Sequence, residues 1–144
     1  MPTLRHLFAF ASLLLAGVSA AWGSEVVVVV DARSSVERIT QEEVVNIFLG
    51  RRRVLPNGEA AQPVEPPASD PVRAEFYRKL VDKSLAQISA YWASLYFSGK
   101  TRPPLQAEST GEVVELITRR PGGIGYLKRS EVSARVRIVL ALPQ

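Results

Sequence analysis

The sequence predicts an α/β fold, with about four helices packed on a mixed central sheet, and three observations predict it. Val26 to Val30 is an unbroken run of valines, and a β-branched run with no polar alternation reads as a strand covered on both faces. Three times a hydroxyl residue is followed three positions later by Glu or Gln (Thr40 and Glu43, Ser84 and Gln87, Ser109 and Glu112), the capping-box signature of a helix start. Between and after these helices lie short β-prone stretches bounded by Pro and Gly. The order therefore reads strand, helix, short strand, two helices, short strand, helix, strand, strand.

Each element has its own justification. After the valine strand and a loop over 31–38 comes “ITQEEVVNIFLG”. There Ile39 can staple onto Val44, while Val44, Ile47 and Phe48 share one face and Gly50 ends the helix in the left-handed conformation. Arg51-Arg52-Arg53 follows, a cationic cluster that complements the negative end of the helix dipole. The stretch 55–67 carries four prolines and Asn57-Gly58, turn chemistry with room for one short strand near 62–65. In “ASDPVRAEFYRKL”, Ser69 or Asp70 is the cap, Pro71 takes the first helical position, and Val72, Phe76 and Leu80 line the inner face. The helix opened by Ser84 has Ile88, Tyr91, Trp92, Leu95 and Tyr96 spaced for burial, so this aromatic stripe is expected in the core. A loop with Pro103-Pro104 leads to a short strand and the helix opened by Ser109, with Val113, Leu116 and Ile117 inward. In “RRPGGIGYLKR” Pro121 stops that helix, Gly122 and Gly123 turn the chain, and Ile124 to Leu127 enters the sheet with Gly125 permitting close packing. A last strand covers 136–142.

Composition bounds the function. Arg5 and His6 precede an apolar run from Leu7 to Val18 and the small residues Ser19 to Ala21, the pattern of a secretory signal peptide over 1–21, too short for a membrane span of about 20 residues. The domain is expected over 22–144, exported, with no stable membrane insertion once the leader is removed. Of the 18 Lys and Arg only Arg5 lies in the leader, so against 14 Asp and Glu the rest carries +3, too modest a surplus for a nucleic-acid partner. There is no cysteine, and the only histidine is His6. Thiolate or imidazole metal sites, Ser-His-Asp triads and histidine acid–base chemistry are thereby removed from the mature chain. No paired-carboxylate motif replaces them. An enzyme is not expected, nor a cofactor or metal.

Three stretches together, “ITQEEVVNIFLGRRRVLPNG”, “PVEPPASDPVRAEFYRKL” and “LITRRPGGIGYL”, resemble the substrate-binding proteins of phosphate-type ABC transporters, and more closely their short single-lobe relatives. Ile47-Phe48-Leu49-Gly50, Asn57-Gly58, Ser69 and Pro121-Gly122-Gly123-Ile124-Gly125-Tyr126 stand where that family carries its helix end, turn, Ser-rich helix start and strand entry. The resemblance implies one lobe of a type II periplasmic binding protein, a periplasmic location, and phosphate or another small oxyanion as ligand, with a transporter permease or sensor protein as partner. It departs from the family in two ways. The chain has length for one lobe where full-length members close two around the anion, which leaves open a homodimer that rebuilds the cleft. The family's Ser-Gly-Thr cradle is replaced by Ser69-Asp70-Pro71-Val72-Arg73.

The candidate anion site is the start of the Pro71 helix, where unpaired N–H groups and the dipole attract a small oxyanion. Val72 would offer its amide, with Ser69 and Arg73 as side-chain donors. Arg33 and Ser35, in the loop after the first strand, are weaker candidates on the rule that ligands gather at the carboxyl ends of strands. Two readings stand for each main donor. Arg73 has the wrong sign for the dipole and either serves an anion or pairs with Asp70; Ser69 is either a ligand donor or a cap. The whole site requires that the amides are not already filled by the Asp70 carboxylate. If they are filled, the competing reading gains: a ligand-free periplasmic module that binds another protein.

Overall fold

The computed structural model describes residues 24–99 and 101–143; the predicted signal peptide at 1–21 lies outside the described residues. The elements run β1 (Val26–Asp31), α1 (Gln41–Phe48), β2 (Gln62–Glu65), α2 (Pro71–Val81), α3 (Leu85–Tyr96), β3 (Leu105–Gln106), α4 (Thr110–Arg119), β4 (Gly123–Lys128) and β5 (Val136–Ala141), with a single 3₁₀ turn at Arg129–Glu131. The sheet order is β3-β2-β4-β1-β5. It is mixed, as expected: β2 runs parallel to β3 and β4, whereas β1 is antiparallel to both β4 and β5.

The five valines of β1 are all fully buried, and their alternation divides the molecule into two cores. Val26, Val28 and Val30 face a layer built from α1, α2 and Ile88 of α3; Val27 and Val29 face α4. A strand flanked by helices on both sides has no polar face to offer, which is why the sequence there shows no alternation.

The helix starts are built as expected, with two differences. Thr40 and Ser84 close complete capping boxes with Glu43 and Gln87. Ser109 accepts from the Glu112 N–H, but the Glu112 carboxylate reaches the Glu108 N–H instead of completing the box. The second difference is larger. On α3 only Ile88 is buried; Tyr91, Trp92 and Leu95 are half-buried, and Tyr96 is 79% exposed. The expected core stripe holds at its amino-terminal end, where Ile88 is in the core and Tyr91 and Trp92 pack against it, and fails toward Tyr96, because α3 lies over α2 and its last turn runs past the core.

The turn at 121–123 owes its glycines to contact. Gly122 has φ +86°, and a Cβ on it would collide with the carbonyl oxygen of Ala60; one on Gly125 would meet the Ile117 side chain at 2.7 Å and the Val64 carbonyl oxygen at 3.0 Å. β4 can therefore lie beneath α4 only as Gly-Ile-Gly.

Candidate functional site

The sheet's own register separates the predicted site residues. Gln62 pairs with Gly123 and Pro63 with Ile124, while Ile124 pairs with Val30 across to β1. The carboxyl end of β2 therefore lies at the opposite end of the sheet from the carboxyl end of β1. Ser69, Val72 and Arg73 follow β2; Arg33 and Ser35 follow β1. They cannot line one site, so Arg33 and Ser35 are not part of the candidate site at the helix start. The carboxyl-end rule applies to parallel strands, and β1 is antiparallel to both its neighbours.

At the β2 end two helices begin side by side. β2 and β3 are parallel, each runs into a helix, and the starts of α2 and α4 meet where the Thr110 hydroxyl lies 3.4 Å from Asp70 Oδ2. Between these two partial positive charges sits the Asp70 carboxylate. Asp70 is the N-cap of α2, and its Oδ1 accepts from the Val72 N–H at 3.0 Å. Pro71 has no N–H, and the Arg73 N–H donates to the Asp70 carbonyl at 3.1 Å. Every first-turn donor of α2 is thus absent or engaged by the chain itself. Ser69 is exposed, and the cap is Asp70.

Arg73 is half-buried. Its side chain folds inward, and Nη2 lies 3.1 Å from Oε1 of Glu65, whose side chain is 4% exposed. The other Glu65 oxygen, Oε2, accepts from the hydroxyls of Tyr77 at 2.8 Å and Tyr126 at 3.1 Å. Both tyrosines have their hydroxyls pushed well above the ordinary phenol range, first by burial and then by the charge of Glu65. The rings carry this polar group into the core: Phe76 stacks on Tyr126 with centroids 3.6 Å apart and planes 6° from parallel, and Phe48 meets both edge-on or tilted. Arg73 thus pairs with Glu65 and not with Asp70.

Glu65 is the residue that sequence reasoning missed. In a two-sided strand neither alternation nor charge marks which residue turns inward, so Val64 and Glu65 can both be buried. One signal was available: Arg73 and Tyr77 are four apart on the helix face that also carries Phe76 and Leu80, so a guanidinium on that inner face required a buried carboxylate.

At the opposite end, the Arg33 guanidinium pairs with both oxygens of Asp31, at 3.1 and 2.8 Å, and also donates to the Thr118 carbonyl at the end of α4. The hydrogen bond from Arg33 holds the Asp31 carboxyl below its usual range. Ser35 accepts from the Asn57 side chain at 3.0 Å. A groove of about 440 Å³ opens there, lined by Asp31, Arg33, Glu59, Arg119 and Arg120 among others, a mixture of signs. Among the described residues no group of three or more His, Cys, Asp or Glu side chains is arranged to hold a metal ion, and no helix is long and apolar enough to cross a membrane.

This architecture, a mixed five-stranded sheet between helices with two helix starts converging at one end, is that of a single lobe of a periplasmic-binding-protein-like fold. Several solved structures share this fold. A phosphate transport receptor of the ABC type from Vibrio cholerae matches with a TM-score of 0.62 at 16% identity, over 80% of this chain and 45% of its own. A putative phosphate ABC transporter substrate-binding protein from Clostridium perfringens, solved with bound phosphate, matches with 0.62 at 14% over 80% and 44%. PstS from Borrelia burgdorferi matches with 0.59 at 14% over 88% and 54%. The chain thus spans about half the length of these structures. No protein-family model matches the sequence, and no curated protein matches it.

Proposed function

We propose that the chain is a periplasmic, non-catalytic binding protein built on the lobe that phosphate receptors use, and that it works as a protein-interaction module for a sensor, a permease or an envelope complex. The observation that supports this most is Asp70. The place where a helix start would hold a free oxyanion already holds an anion, tethered to the chain and capped by the Val72 N–H. A second negative charge brought there would be repelled at close range, and the α2 start has no donor left to offset the repulsion. Arg73, the one cation in that first turn, is committed to Glu65.

One observation favours a second reading, binding of a small oxyanion such as phosphate. Two helix starts converge on this end of the sheet, and the structures that share the fold include a phosphate transport receptor and a putative phosphate transporter substrate-binding protein with phosphate bound. The first-turn amides of Thr110 and Gly111 on α4 are the kind of donors such an ion uses. Calorimetric titration with phosphate and with sulfate separates the two readings. The wild type is expected to give no heat and no thermal shift at millimolar anion, and an envelope extract is expected to yield one stoichiometric protein partner. Heat from the wild type at millimolar phosphate would overturn the interaction reading. Asp70→Ser is the informative companion, because it removes the tethered charge: phosphate heat in that variant alone identifies Asp70 as the group that closes the site.

A further inference from the structure

We propose that the carboxyl-terminal end of α3 is the docking surface of this interaction module, and that it receives a protein segment in which an apolar side chain is flanked by acidic residues. The inference rests on the interaction reading above and names its surface. Tyr96 and Phe97 are 79% and 92% exposed and lie edge to face, with ring centroids 5.8 Å apart. Two adjacent aromatic rings in water are a standing cost that a monomer has no reason to keep, whereas aromatic anchors are what partner surfaces use. Beside them is a cavity of about 200 Å³ lined by Trp92, Ala93, Tyr96, Thr101 and Pro103, concave and largely apolar, of a size for one side chain.

The charge around it sets the partner's sign. From Ser84 to Ala107 the sequence contains no Asp or Glu, so no carboxylate of α3 or of the following loop borders the patch. Cations do border it. The Thr101 hydroxyl donates to the Gly50 carbonyl at 3.3 Å, and a Cβ on Gly50 would lie 2.9 Å from Trp92, so the exposed Arg51 is one residue along the chain from a position that touches two of the lining residues. Arg102 sits exposed between two residues that line the cavity. Neither arginine makes a side-chain hydrogen bond or ion pair among the described residues, in contrast to Arg52, which holds Glu43. A cationic rim around an apolar hollow is complementary to an apolar residue between carboxylates. It argues against a second copy of this chain, since a two-fold contact would set these arginines against one another. It also argues against an anionic lipid surface, because a hollow sized for a single side chain has no use there.

The test uses the full mature chain and fluorescence polarisation with two synthetic peptides, one carrying a leucine or phenylalanine flanked by glutamates and its counterpart flanked by lysines. The acidic peptide is expected to bind at least tenfold tighter, with affinity falling as salt rises. Tyr96→Ser with Phe97→Ser, and separately Arg51→Glu with Arg102→Glu, are each expected to reduce that binding at least tenfold while leaving the thermal midpoint in place. Equal binding of the two peptides, or unchanged binding by both double variants, overturns the proposal. Binding to vesicles containing anionic lipid that the Tyr96 and Phe97 changes abolish overturns it in favour of a membrane, and a dimer in sedimentation that the same changes dissolve overturns it in favour of self-association. Phosphate calorimetry on the same preparations is a separate reading: heat there counts against the ligand-free interaction role and leaves the peptide result to stand or fall alone.

Discussion

Two aromatic clusters sit on consecutive helices of this protein, and they have opposite fates. On α2, Phe76 and Tyr77 join Phe48 and Tyr126 in a fully buried group. On α3, Tyr91 and Trp92 are half-buried and Tyr96 is exposed, with Phe97 beyond it. The helical spacing of the two sets is equally suited to a core. What differs is the layer: α2 lies against the sheet and has one side for burial, while α3 lies against α2, with Ile88 alone fully in the core, Tyr91 and Trp92 packed half-buried against it and Tyr96 beyond its edge. Spacing therefore specifies which residues share a face, and topology alone specifies whether that face meets another surface.

The comparison can be broken most easily at the buried pole. Glu65→Ala leaves the Arg73 guanidinium in the interior without its carboxylate and removes the acceptor of two tyrosines, and a loss of about 3–5 kcal/mol in urea denaturation is expected. Phe76→Ala, which empties the centre of the buried cluster, is expected to cost about 3–5 kcal/mol in the same assay. A loss below about 1 kcal/mol for either would show that the cluster is not packed as described.

Alkaline titration sharpens the contrast with a smaller effect. Tyr77 and Tyr126 hold their protons more tightly folded than unfolded. Their contribution is therefore complete below the unfolded phenol value of about 10 and is lost as pH rises beyond it, because the unfolded chain then releases protons that the folded chain keeps. The thermal midpoint is expected to fall above that pH, and the Tyr77→Phe and Tyr126→Phe pair to flatten the fall. A midpoint that stays level in the wild type would sink the assignment. Smallest of all, Tyr96→Ser with Phe97→Ser is expected to shift stability by no more than about 0.5 kcal/mol, as for a surface change whose main loss is the contact between the two exposed rings. A larger loss would mean that α3 is covered after all.

Much of the fold was legible because its signals are local. The valine run, the caps at Thr40 and Ser84, Pro71 at its helix start and the glycines at 122 to 125 each act within a few residues, and each is found in its expected place. The candidate site was less legible because its geometry is set by pairings far apart in sequence. Nothing near Arg33 announces that β1 is antiparallel to its neighbours, which is what sends Arg33 and Ser35 to the other end of the sheet. Nothing near Arg73 announces that Glu65 turns inward. Asp70 is the intermediate case: its role as a cap was readable from the residues beside it, but its position between two helix starts required the meeting of α2 with Thr110.

The placement of β1 has a consequence for how the protein reaches this state. Its five valines find their partners only in β4 and β5, with Val28 opposite Tyr126 and Leu140, so the most adhesive strand stays unpaired until a segment about 100 residues later is in hand, a late closure of the kind that slows folding. Until then it is an uncharged, β-branched stretch of the sort that stacks on its own copies. A chain threaded amino end first would show this strand to its surroundings long before the rest could cover it, so a holding chaperone should raise the yield of folded protein, and dilution should do the same in refolding from urea.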